Sequence, residues 1–177
     1  MKSSPTSYGA VAVSIHWISA ILVVALLASG FRAGSLDATS AKAGILAVHA
    51  SMGITVLLLT LLRIAWWVLV DKKPIDQTNS PAWQVITAKS VHILLYVVVL
   101  GMVASGIGML ALSGAGEIVF GGSEASLPDF WNYTPRVPHG IGARVLLVLL
   151  ALHVGAAFYH QFVKKDGSFR RMWFGRG

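Results

Sequence analysis

Cysteine is absent from the chain. That removes disulfides, covalently attached c-type haem, iron–sulfur clusters and thiolate zinc sites together. Six histidines remain as the obvious ligands for a transition metal. Charge is scarce as well: 12% of the 177 residues are Asp, Glu, Lys or Arg, against about 25% in a soluble domain. With 55% hydrophobic residues and a mean hydropathy of +0.71, the deficit leaves room for one compact membrane domain, residues 1–177, and little else. The seven acidic residues all lie outside the long apolar runs, so a membrane proton relay built on carboxylates has no material.

The apolar runs cover roughly residues 9–31, 43–70, 85–112 and 137–163. Each reaches the roughly 20 residues that a helix needs to cross about 30 Å of hydrocarbon. In lipid the backbone must satisfy its own hydrogen bonds, so the expectation is an all-α membrane four-helix bundle. Asp37, Thr39 and Ser40 offer N-cap chemistry ahead of the second helix. Pro74, Asn79, Ser80 and Pro81 break the chain before the third. A long glycine-rich connection, from Ser113 through Gly122 to Pro135 and Pro138, precedes the fourth, where a proline suits the first turn. The first run carries Lys2 ahead of it and the small residues Ala28-Ser29-Gly30 near its end, as a cleaved signal peptide would. It is long for a signal-peptide core and contains His16, so it is read as a retained span.

The formal charge of +7 and pI near 10.1 follow from topology. With the N-terminus inside, Lys2, Arg63, Lys72, Lys73, Lys89, Lys164, Lys165, Arg170, Arg171 and Arg176 fall on the inner side, and Arg32, Lys42 and Arg136 on the outer. Ten cations against three place both termini of this multi-pass membrane protein in the cytoplasm. Nucleic acid is then not needed to explain the basic balance. Trp66, Trp67, Trp83 and Trp173 near the inner interface, and Trp131 near the outer, are read as interfacial anchors.

A histidine inside a span marks function by default; its alternative, an interhelical hydrogen bond, is worth about 0.6 kcal/mol on average. His16 and His92 lie just inside the cytoplasmic ends of the first and third helices, and His153 and His160 in the cytoplasmic half of the fourth. His49 and His139 lie toward the outer side. The histidines thus form two layers. His139 and His153 are 14 residues apart, close to four full turns, so they share a face and stand about 21 Å apart along the axis. The fourth helix offers one imidazole to each layer, and the first and second helices hold opposing ones. Zinc would gather four ligands at one depth, whereas a paired site suits a six-coordinate haem iron. Gly44, Ala47, Ala50 and Gly53 around His49, and Gly101, Ser105 and Gly108 on the third helix, leave room for a flat macrocycle, or for close helix packing. Arg144, Arg32 and Arg63 are the candidate partners for haem propionates, since charge-assisted pairs to carboxylate favour arginine; Arg63 fits a snorkelling interfacial residue equally well.

These residues resemble the small bacterial di-haem cytochrome b561 family, which includes a superoxide oxidase. The resemblance is carried by Ser14-Ile15-His16-Trp17, Phe31-Arg32, Val48-His49-Ala50-Ser51-Met52-Gly53 continuing to Leu62-Arg63, His92 with Tyr96, His139, and His153-Val154-Gly155-Ala156-Ala157 through His160, Lys164, Lys165 and Asp166. It covers nearly the whole chain; residues 71–83 and 113–136 depart from the family's pattern. The resemblance implies two non-covalent b haems, with the inner iron on His16 and His153 and the outer on His49 and His139. His139 directly follows Pro138, so a level pairing with His49 needs tilt or an earlier helix start. The family passes electrons between the periplasmic side and the quinone pool. On that basis His92, His160 and Lys89 are assigned to a ubiquinone site at the inner haem. His92 also competes with His16 as the inner ligand. For the periplasmic donor, superoxide fits the family's enzyme. A soluble periplasmic redox protein fits the acidic outer loops, which carry Asp37, Glu117, Glu124 and Asp129. From another class, a haem-free transporter or scaffold is the remaining reading.

Overall fold

The computed structural model describes residues 2–37, 40–75, 80–123 and 125–173. Thr39, Asn79, Glu124 and Arg176, each invoked above, lie outside the described residues. The protein is all-α, with no strand among the described residues. Helix α1 spans Ala10–Gly34 and α2 Ser40–Ala65, the latter ending in a wider π-helical turn, Trp66–Val70. Helix α3 spans Ala82–Ser113, α4 Ala115–Phe120 and α5 Arg136–Phe158, with a second π-helical end at Tyr159–Lys164. Four of these helices are long and apolar enough to cross a membrane. They match the expected spans to within about three residues at each end, the usual fraying of helix limits.

The helices are apolar on every side, which is stable only where the solvent is hydrocarbon. Helix α3 buries no residue and exposes Ile86, Ile93, Val97 and Ile107. What core there is consists of small or branched residues on α1, α2 and α5, such as Ala12, Val13 and Ile15 on α1, Val56 on α2 and Leu146 on α5.

Contacts divide the chain into two units. Unit 1 comprises Met1–Ala20, Leu59–Tyr96 and Val148–Gly177; unit 2 comprises Ile21–Leu58 and Val97–Leu147. Each takes one part of every long helix. In unit 2, α5 starts two residues before Pro138. The first four N–H groups of a helix have no partner within it, so a proline in the first turn costs nothing there. His139 is therefore already helical, its N–H bonded to the Pro135 carbonyl at 3.1 Å. The earlier start that its position required is present. The glycine-rich connection also holds α4, which the sequence reading left as loop. Gly114, at φ +69°, turns the chain sharply, and Ala115 and Val119 are buried behind it.

In unit 1 the connection after α2 is tied to the N-terminal segment. Asp71 accepts hydrogen bonds from the Ser3 amide and hydroxyl at 2.9 and 2.8 Å, the Trp66 indole at 3.2 Å and the Lys72 amide at 2.9 Å. Arg171 donates to the Thr6 and Ile75 carbonyls at 3.0 and 2.7 Å, and the Trp17 indole to Met172 at 2.9 Å. Trp66 and Trp173, expected only as anchors, thus take part in packing as well; Trp173 stacks on Phe169 with ring centres 6.0 Å apart. Burial opposes ionisation of Asp71, but the bonds from Ser3, Lys72 and Trp66 outweigh it and hold its carboxyl below the usual range. The stabilisation is complete above the ordinary aspartate value of about 3.9 and is lost as pH falls through the lower folded value. Asp71→Ala is expected to cost about 2 kcal/mol by stranding its donors. That loss would be read as a lower thermal midpoint by circular dichroism in detergent near neutral pH. An unchanged midpoint would remove Asp71 from the structural account.

Candidate functional site

The spacing that puts functional side chains on one stripe is readable on two helices. On α5, His139 and His153 share the line of the buried Leu146 and Leu149. On α2, His49 and Arg63 are likewise 14 residues apart and share the line of the buried Val56 and Thr60. Each helix thereby gives one functional group to each unit. On α1, His16 follows Ala12 and Val13 on the buried face.

In unit 1 the ring centres of His16 and His153 are 6.2 Å apart. Those of His92 and His153 are 5.2 Å apart. In unit 2 the ring centres of His49 and His139 are 6.2 Å apart. A metal sits about 2 Å from an imidazole nitrogen, itself about 1.1 Å from the ring centre, so two imidazoles in line across one iron have centres about 6 Å apart. The pairs His16–His153 and His49–His139 have that spacing; His92–His153 is about 1 Å too short for it. Among the described residues no group of three or more His, Cys, Asp or Glu is placed to hold a metal ion. Pairs of histidines are what the donors provide, and a haem iron takes only two from the protein.

Arg63 stands beside the unit 1 pair. Its Nη1 lies 3.4 Å from His16 Nδ1, its guanidinium lies 5.9 Å over the Tyr96 ring, and its buried Nε has no hydrogen-bond partner among the described residues. A buried, unpartnered guanidinium N–H is a fitting partner for an anionic ligand group such as a propionate. The other two proposed cations are placed differently. Arg144 is five residues beyond His139, about 140° round the helix; it is exposed and bonds back to the Gly140 carbonyl at 3.1 Å. Arg32 is exposed at the end of α1. A further cation near His139 in sequence is Arg136, three residues before it, packed 4.4 Å over the Trp131 ring. An i, i+3 relation to His139 was the signal for it.

Of the three residues expected around a quinone, His92 and Lys89 lie on α3 and His160 at the π-helical end of α5. His92 is exposed beside His153, and Lys89 is exposed one turn earlier on α3. His160 is half-buried and donates from Nδ1 to Asp166 at 2.5 Å. Burial opposes ionisation of Asp166, but Ser168 and His160 hold its carboxyl below the usual range. From the next residue along, a cavity of about 260 Å³ opens, lined by Gln161, Phe169, Arg170 and Trp173.

Two serines that the sequence reading did not connect with the histidines also meet them. Ser29 Oγ is 2.9 Å from His49 Nδ1 and Ser105 Oγ 2.9 Å from His139 Nδ1. The signal was present: Ala-Ser-Gly occurs at 28–30 and again at 104–106.

Comparison with known proteins bears on this geometry. A family model described as prokaryotic cytochrome b561 matches residues 7–175. Cytochrome b561 homolog 2 of Escherichia coli (strain K12) is 26% identical over 186 residues, covering 96% of this chain and 93% of that protein. Cytochrome b561 homolog 1 of the same organism is 26% identical, covering 89% and 92%. A probable superoxide oxidase, CybB, of Yersinia pestis is 27% identical, covering 93% and 94%. No solved structure matches.

Proposed function

Because the chain belongs to the prokaryotic cytochrome b561 family, and is thus a bacterial membrane electron-transfer protein of a family that binds haem b, we propose that it holds two b haems and carries electrons between the periplasmic side and the quinone pool of the inner membrane. The observation that carries this reading is the equal 6.2 Å spacing of His16–His153 and His49–His139. His16 and His153 hold one iron in unit 1, and His49 and His139 the other in unit 2. Bound haem supplies one-electron exchange.

The chain's own residues supply the rest. In unit 1 Arg63 takes a propionate, and Tyr96 faces its guanidinium; in unit 2 Arg32, Arg136 and Arg144 supply positive charge. The quinone end is assigned to His160, His92 and Lys89. His160 gives its Nδ1 proton to the bond with Asp166, which leaves Nε2 to exchange a proton with a quinone oxygen. The cavity from Gln161 to Trp173 offers an apolar wall for the ring.

For the donor we propose superoxide, in keeping with the name of the Yersinia pestis relative. Two superoxide anions each lose one electron and leave as dioxygen, while ubiquinone gains both electrons and two protons to become ubiquinol. Detergent-purified protein, oxidised and then reduced with dithionite, is expected to show low-spin b-haem bands and two haems per chain by pyridine haemochrome. One haem would sink one of the pairs, and none, in protein made with ample haem, would sink the reading. Superoxide added to the oxidised protein is expected to reduce haem at a near-diffusional rate. Reduction only by a basic soluble redox protein would instead establish the conduit reading suggested by Asp37, Glu117 and Asp129.

A further inference from the structure

The two Ala-Ser-Gly tripeptides, Ala28-Ser29-Gly30 on α1 and Ala104-Ser105-Gly106 on α3, do the same thing twice. Both lie in unit 2, and each meets one histidine. The serine hydroxyl is 2.9 Å from Nδ1 in both cases. At the next residue, a Cβ on Gly30 would stand 3.1 Å from His49 Cε1, and one on Gly106 3.3 Å from His139 Cε1. Each imidazole edge therefore occupies the space that any larger residue would fill.

Counting protons gives the direction of the bonds. A serine hydroxyl has one proton and two lone pairs. Ser29 directs its proton to the Leu26 carbonyl at 3.1 Å, and Ser105 directs its own to the carbonyls of Gly101 and Met102 at 2.8 and 3.0 Å. Each hydroxyl then meets its imidazole with a lone pair, so Nδ1 carries the ring proton. A neutral imidazole protonated at Nδ1 leaves Nε2 bare, with its lone pair available to a metal. In unit 1 His16 Nδ1 instead faces the Arg63 guanidinium.

We propose that the two Ala-Ser-Gly tripeptides are a matched pair of imidazole holders, in which serine fixes the Nδ1–H form and glycine the ring plane of His49 and His139, and that they thereby set the midpoint potential in unit 2 but not in unit 1. The inference rests on these two histidines being haem ligands. An imidazole whose Nδ1–H is accepted by an oxygen is a stronger electron donor, which favours the oxidised iron. Losing the hydroxyl favours the reduced form.

The test uses the holoprotein in detergent, with potentials read from the reduced α-band at fixed ambient potential and ring orientation from the low-spin ferric EPR signals. Ser29→Ala and Ser105→Ala are each expected to raise the reduced-to-oxidised ratio of one haem by about threefold or more, leaving the other unchanged. Ser→Thr at either site restores the wild-type ratio. Gly30→Ala and Gly106→Ala shift the EPR g values of the same haem by turning the ring. Alanine variants that keep both haems with unmoved potentials and EPR signals overturn the proposal. Where a Ser→Ala variant loses its haem, a Thr variant that keeps it at wild-type potential supports the proposal, and one that also loses it overturns it. His49→Ala separates the two levels of the argument. If it retains both haems, the ligand reading fails. If it loses one while the serine variants shift nothing, the holder inference alone fails.

Discussion

His153→Ala is expected to leave one haem per chain, and His16→Ala to remove the same one, whereas His92→Ala keeps both. His153 is the shared member of two contacts in unit 1, with His16 at 6.2 Å and His92 at 5.2 Å between ring centres. An iron between in-line imidazoles needs about 6 Å, so only the first contact fits. The surviving haem in His153→Ala and His16→Ala is the one held by His49 and His139, with unchanged low-spin bands. Pyridine haemochrome on the three variants, purified in parallel, reads the pattern. A His92→Ala protein with one haem, beside a His16→Ala protein with two, would transfer the unit 1 ligand from α1 to α3. If His92→Ala keeps both haems, His92 stays in its proposed role beside His153 at the quinone end. In that role its loss lowers quinone reduction without altering haem content.

How far the site was legible in the sequence depends on whether the information lay within one helix or between two. Hydropathy set the four spans, because a run of some 20 apolar residues has few alternatives to a membrane helix. Periodicity set the two-layer reading, because residues 14 apart on α5 share a face whatever the helix packs against. The same arithmetic on α2 links His49 to Arg63 and was there to be used. For Arg144 it argues the other way, since five residues from His139 is a different face of the helix. What could not be read was rotation of one helix against another. Whether His16 or His92 meets His153 depends on angles that no single helix encodes. The Ser3–Asp71 bonds join residues 68 apart, and nothing local marks either partner. Ser29 and Ser105 lie between these cases. Their contacts are interhelical, but the repeated tripeptide is a pattern in the sequence. The first copy drew notice only as a sequence small enough for signal cleavage, and the second only as room for a macrocycle.

Arg63→Met is expected to weaken retention of the unit 1 haem by about 10- to 100-fold, because hydrogen bonds to charged groups contribute about 1.5–3 kcal/mol and each 1.4 kcal/mol is tenfold. The buried Nε of Arg63 has no partner among the described residues, and leaving such a donor unsatisfied costs about 1–3 kcal/mol unless a ligand supplies an acceptor. The contact to His16 is long, at 3.4 Å, and does not account for a charged side chain held inside the protein. A propionate would answer both points, since guanidinium favours carboxylate acceptors at paired N–H groups. Lysine carries the charge on a single point and has no donor at the Nε position, so Arg63→Lys is expected to recover only part of the loss. Haem release on dilution into a haem-scavenging protein, followed by absorbance, measures all three proteins. Arg63→Met releasing haem at the wild-type rate would return Arg63 to the role of an interfacial cation. Full rescue by lysine would show that charge alone is required and that the unpartnered Nε has no part in holding the haem. Loss confined to the haem that also disappears in His153→Ala is the result that ties Arg63 to the unit 1 site, since the same substitution leaves the His49–His139 pair and its serines untouched.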